Sequence, residues 1–220
     1  MVYPTAPNRL SAGDIPGYEP RGVVSSEEGG EGQVEEIDSW AWFRKDEAGG
    51  TYRFVEEGME RLAGFIREVV NGDGEVEGGV VDGVVGFSQG GCMAGMLAAA
   101  MESSGRKPIE GQEGWVKAVR EANKGVPLKF AVIYSGFYAT PGDLGWMYTP
   151  KITTPTLHFL GSLDTVVEES RSLGLVERCE EPLVLTHPGG HYVPVSKEWA
   201  MPLAGFIKKC VEGPEAGVRL

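Results

Sequence analysis

Several things are scarce in this 220-residue chain, and each scarcity excludes something. There are three cysteines, Cys92, Cys179 and Cys210, an odd number without metal-ligand spacing. A disulfide framework or a zinc site does not follow from them, and a reduced, cytoplasmic setting fits best. Positive charge is short: 20 Lys and Arg against 32 Asp and Glu give a net charge of -12. That argues against nucleic acid or an anionic membrane as a partner. No apolar run approaches the roughly 18 residues of a membrane span, and "MVYPTAPNRL" has neither the basic start nor the apolar core of a signal peptide. Histidine occurs only three times, at 158, 187 and 191.

Glycine is plentiful, with 33 residues. A Gly-, Pro-, Ser- and Glu-rich stretch at about 9–38 reads as a flexible acidic loop, and the rest as one compact domain over 1–220. Val2–Thr5 reads as a short strand stopped by Pro7, and Trp40, Trp42 and Phe43 form an aromatic cluster. Thr51 is the expected cap of a helix over about Tyr52–Val70. Four apolar segments then recur, Val80–Phe87, Leu128–Ser135, Thr156–Leu160 and Leu183–Thr186. Helices are expected between and after them at about Gly90–Glu102, Glu113–Asn123, Val166–Cys179 and Ser196–Val211. Strands alternating with helices predict an α/β fold, a mostly parallel sheet covered on both faces.

The stretch "VVDGVVGFSQGGCMAG" places Ser88 between a buried strand and a small-residue helix, in the pattern G-x-S-x-G. A nucleophile elbow needs this arrangement: the serine takes a strained backbone, so side chains two before and two after it must be absent or nearly so. The helix N-terminus behind it turns free N–H groups toward developing negative charge, and the Gln89 N–H is the expected oxyanion donor. The serine needs a base on a loop beyond the sheet's carboxyl edge. His158 lies within an apolar strand and reads as core. His191, on a loop with Gly189 and Gly190, fits better than His187. Asp164, four residues beyond a strand, is the candidate acid. An N-cap is its other reading. Asp82 reads as a turn residue. The order Ser88, Asp164, His191 is that of α/β-hydrolases. Phe87, Phe137, Trp42 and Phe43 are candidate acyl-pocket residues, with core or lid packing as the alternative. A metal site at His187 and His191 is disfavoured, because Pro188, Gly189 and Gly190 forbid the helix that would align them.

With these residues in place, the chain resembles the small fungal serine hydrolases, a family that includes the ovarian cancer-associated serine hydrolase and thioesterases that release polyketide acids from synthases. The pieces that carry the likeness are "YPTAPNRL", "AWF", "DGVVGFSQGG", "IYSGF", "PTLHFLGSLDTVV" and "HPGGHYVP". The resemblance implies an α/β-hydrolase fold, the triad Ser88, Asp164 and His191, and esterase or thioesterase activity through an acyl-enzyme. It implies no metal or cofactor. The partners it implies are a small acyl ester or thioester and, in some relatives, an acyl-carrying synthase. "GFSQGG" is also similar to acyl-protein thioesterases. One departure stands out: the family opens with a strand and a His-Gly-x loop that supplies a second oxyanion N–H, and no histidine precedes His158 here. Either that segment lies upstream of Met1, or the short form closes the gap with Val2–Thr5 or by homodimerisation through an exposed strand edge. A catalytically impaired, ligand-binding hydrolase relative is the alternative function.

Overall fold

The computed structural model describes residues 1–11, 14, 38–46, 49–72, 79–102 and 105–213. Most of the expected acidic loop at 9–38, including Glu27–Glu36, lies outside the described residues. Two short antiparallel pairs come first: β1 (Asn8–Arg9) with β2 (Trp40–Ala41), and β3 (Arg44–Asp46) with β4 (Thr51–Arg53). The expected strand at Val2–Thr5 does not form. Pro4 and Pro7 remove backbone donors there, and the first pairing starts at Asn8 instead. Thr51 is likewise a strand residue and not a helix cap. α1 spans Val55–Asn71, starting after Phe54 in a left-handed conformation (φ 67°).

The main sheet holds β5 (Gly83–Phe87), β6 (Phe130–Tyr134), β7 (Thr156–Gly161) and β8 (Leu183–His187), all parallel, in that order. Between and after them run α2 (Gln89–Met101), α3 (Glu113–Ala122), α4 (Glu169–Val176) and α5 (Lys197–Glu212). These fall where the four expected strands and four expected helices lie, with β6 and α4 shorter at both ends and β5 starting three residues later than expected. Residues in register share a sheet face. Ala131 and Ile133 of β6 join α1, α2 and α3 in the larger core, where Met59, Met96 and Trp115 are buried. Phe130, Val132 and Tyr134 of β6 and Leu157 and Phe159 of β7 face α5, which contributes Phe206.

β5 is the edge of this sheet and pairs only with β6 among the described residues. Its Val85 and Phe87, in register with Val132 and Tyr134, lie on the α5 face and are 43% and 38% exposed. Asp82, just before β5, pairs with Lys129 at 2.8 Å. That fits a turn-stabilising residue.

Candidate active site

Ser88 sits between β5 and α2 with φ 53° and ψ -117°, a conformation that side chains rarely adopt. Two bonds hold it there: its N–H donates to the Tyr134 carbonyl (2.9 Å), and its own carbonyl accepts the Cys92 N–H (3.1 Å). A strained residue persists only when its surroundings over-determine it. The flanking glycines are not equivalent. A Cβ at Gly86 would collide with the Gly90 carbonyl, whereas one at Gly90 would meet nothing within 4 Å. The expectation that both must lack a side chain therefore holds only for Gly86, over which the first turn of α2 folds back. The close approach on the helix side is one residue later, where a Cβ at Gly91 would lie 2.9 Å from Gly136 Cα.

The structure brings Ser88, Asp164 and His191 together from three strand ends. His191 Nε2 lies 2.9 Å from Ser88 Oγ, and its Nδ1 lies 2.8 Å from Asp164 Oδ2. Gly161, the last residue of β7, makes room for the histidine loop: a Cβ there would sit 2.5 Å from the Gly190 carbonyl. Asp164 does not cap α4, which begins five residues later. Its Oδ1 instead accepts the Val166 and Val167 N–H groups, both at 2.9 Å. Burial pushes the Asp164 carboxyl up, but hydrogen bonds from His191, Val167 and Val166, together with the Ser135 hydroxyl nearby, outweigh it and hold the pKa below the usual carboxylate value. An ionised Asp164 accepts a hydrogen bond from the Nδ1–H, which leaves Nε2 as an acceptor facing the serine hydroxyl.

The other histidines stand apart from Ser88. His158 is buried within β7, and burial drives its pKa down to about 4. His187 is buried between Tyr192 and Trp199, with ring centroids 4.9 and 5.8 Å away.

Two features of the site escaped sequence reasoning. The sequence points only to the Gln89 backbone N–H, which lies at the first helical position where no intrahelical acceptor exists. Its side chain also clamps the aromatic segment, with Oε1 accepting the Trp42 N–H (2.8 Å) and Nε2 donating to the Phe43 carbonyl (2.9 Å). Ser135, at the end of β6, has a positive φ and adjoins Asp164. A serine followed by glycine at a strand's carboxyl end was the signal available for it.

The four acyl-pocket candidates do not converge. Phe43 is buried and stacks on Tyr52 with ring centroids 4.6 Å apart. Trp42 packs against the same core, and Phe137 is covered by the Arg171 guanidinium 4.4 Å from its ring. Phe87 belongs to the opposite sheet face and flanks the His191 ring at 4.6 Å. A cavity of about 540 Å³ lies between Tyr138, Tyr148, Lys151 and Arg178, and Ser88, Asp164 and His191 do not line it.

A parallel sheet, a serine at a strand-to-helix turn, and an acid and a histidine following later strands define an α/β-hydrolase fold. More narrowly, the serine hydrolase (FSH1) family profile matches residues 1–203, and the chain belongs to that family. It is 31% identical over 215 residues to Family of serine hydrolases 2 of Saccharomyces cerevisiae, covering 96% of this chain and 82% of that protein. It is 33% identical over 168 residues to a Schizosaccharomyces pombe protein named dihydrofolate reductase, covering 76% of this chain and 32% of that one. Esterase OVCA2 of Xenopus tropicalis is 31% identical over 116 residues, 53% of this chain and 43% of that protein. The chain thus spans under half the length of two of these relatives and 82% of the third. Among solved structures, acyl-protein thioesterase 2 of Zea mays aligns with 77% of this chain and 72% of its own, at 18% identity and a TM-score of 0.46.

Proposed function

We propose that the chain is a serine hydrolase that cleaves carboxylic esters or thioesters through an acyl-enzyme on Ser88, within one domain over 1–220. The observation that carries this is the pair of short contacts at His191, 2.9 Å to Ser88 Oγ and 2.8 Å to Asp164 Oδ2. Ser88 Oγ attacks the acyl carbonyl as His191 Nε2 takes its proton. Asp164 holds the imidazole tautomer and balances the imidazolium charge. The Gln89 N–H, at the start of α2, binds the oxyanion. His191 then protonates the departing alcohol or thiol. In the second half it activates water, which attacks the acyl carbon and releases the carboxylic acid and free Ser88. The names of the relatives, serine hydrolases and esterases, support this over a non-catalytic binding role.

The partners that fit are small acyl esters or thioesters, among them an acyl group presented by a synthase, as the resemblance implies. The edge of β5, which pairs only with β6 among the described residues, supports homodimerisation by strand pairing, which sedimentation velocity tests: a monomer at all concentrations would refute it. Three unpaired cysteines support a reducing, cytoplasmic setting. Among the described residues no helix is long and apolar enough to cross a membrane.

A fluorophosphonate probe tests the reaction. Ser88 is labelled, and Ser88→Ala abolishes both labelling and turnover of p-nitrophenyl esters. A folded wild-type protein that neither labels nor turns over would refute the reading.

A further inference from the structure

Ser135 occupies an unfavourable position for a serine. It directly follows β6 with φ 44°, in the left-handed region that glycine tolerates and side chains rarely adopt. Its N–H donates to the Phe159 carbonyl at 2.9 Å, which ties this backbone to β7, the strand leading to Asp164. The residue is 1% exposed, and its Oγ closes no well-formed hydrogen bond to a described partner. A strained backbone and an unsatisfied buried hydroxyl both work against stability. Packing alone therefore favours glycine here, and what the hydroxyl adds must be sought in what it faces.

β6 lies between β5, which delivers Ser88, and β7, which leads to Asp164, so Ser135 just past its carboxyl end stands between the two, tied to β7 by its own N–H as Ser88 is tied to β6. Its side chain is also one of the groups that hold the Asp164 carboxyl's pKa down. The remaining contacts of Asp164 are accounted for: two N–H groups on Oδ1 and the His191 ring on Oδ2. The side chain of Asp164 is 2% exposed, so water contributes little to its solvation.

We propose that Ser135 is a positioning residue of the Ser88 site: its hydroxyl turns onto the buried Asp164 carboxylate and, with the Val166 and Val167 N–H groups, fixes the carboxylate plane that orients His191. The hydroxyl touches neither substrate nor the reacting atoms. It acts through Asp164 on the direction of the Nδ1–H bond and hence on the line from Nε2 to Ser88 Oγ. This rests on the reading of Ser88 as nucleophile.

Two variants separate positioning from structure. Ser135→Gly removes the hydroxyl and relieves the left-handed strain, whereas Ser135→Ala removes the hydroxyl and keeps it. For p-nitrophenyl acetate, both lower kcat by about tenfold with KM unchanged, the scale of one hydrogen bond to a charged group. Losing that donor leaves the Asp164 carboxylate a stronger acceptor for the His191 Nδ1–H, which favours the protonated base, so the acid limb of kcat/KM moves to higher pH in both. Ser135→Gly melts at or above the wild-type temperature. The low-field His191 Nδ1–H proton resonance is displaced in both variants. Wild-type kcat and an unmoved acid limb in both would overturn the proposal, as would a kcat loss that only tracks a lowered Tm. Should wild-type protein show no turnover at all, the hydrolase reading fails first. The Nδ1–H resonance then decides separately: displaced, Ser135 positions the pair; unchanged, it does not.

Discussion

The two faces of the main sheet are built differently. On one, α2 lies against β5 and β6, and every residue of Gly91–Met101 is buried, with α1 and α3 packed around it. On the other, α5 buries a single residue of its own, Phe206, and β5 leaves Val85 and Phe87 partly in solvent. Within β5 itself, "GVVGF" is apolar on both faces and does not tell them apart. The lesson is that the elbow takes its rigidity from one side. Ser88 is braced by the well-packed helix behind it, while the strand that delivers it has a half-covered flank and, among the described residues, an unpaired edge.

The sharpest way to break that asymmetry is at the brace. Gly86→Ala drives a methyl group into the Gly90 carbonyl. A loss of about 4 kcal/mol or more is expected, read as failure to yield a cooperative urea transition. The next largest effect is expected at the far end of α2. There buried Glu102 holds Arg106 (2.6 Å) and accepts the Thr153 and Thr154 N–H groups, while Arg106 reaches the carbonyls of Met147, Pro150 and Lys151. Glu102→Ala strands the guanidinium without its counter-charge and costs about 3–5 kcal/mol by chemical denaturation.

A matched pair then compares the faces directly. Met96→Ala on the packed side costs about 3 kcal/mol, since a fully buried side chain leaves a cavity. Val85→Ala costs about 0.5 kcal/mol, because solvent already reaches that position. Equal losses would mean that Val85 is covered in solution, as strand pairing with a second copy would do.

A separate effect is pH-dependent. His158 has a folded pKa lowered to about 4 by burial, against about 6.5 unfolded. Below about 6.5 the unfolded chain binds the proton first. The contribution is therefore full above that pH and lost as pH falls toward 4. Tm should drop over this window in wild type and less steeply in His158→Gln. The smallest effect is at Gly90, where added bulk meets open space. Gly90→Ala is expected to be neutral or to stabilise α2 by up to about 1 kcal/mol, the reverse of its partner four residues earlier.

Much of this was legible from sequence because it is local. Apolar runs of strand length, alternating with small-residue or amphipathic helices, are enough to set a parallel sheet. The position of each polar residue just past a strand then selects Ser88, Asp164 and His191. The readings that needed revision depend on contacts between distant segments. Thr51 looks like a cap until Arg44–Asp46 is available to pair with Thr51–Arg53. Phe43, Trp42, Phe137 and Phe87 look alike as aromatics near a serine, but Phe87 lies across the sheet from the other three. The side chain of Gln89 gives no hint that it reaches 46 and 47 residues back.

By itself, then, the sequence determined the α/β class, the chain order of serine, acid and histidine, and the elbow at Ser88, because strand and helix periods and glycine sterics act over a few residues. Only the tertiary structure decided which flanking glycine is indispensable, which sheet face is sealed, and that Ser135 lies strained beside Asp164. Those depend on where backbones from separate strands come to rest against one another, a property of the packed sheet that no local pattern encodes.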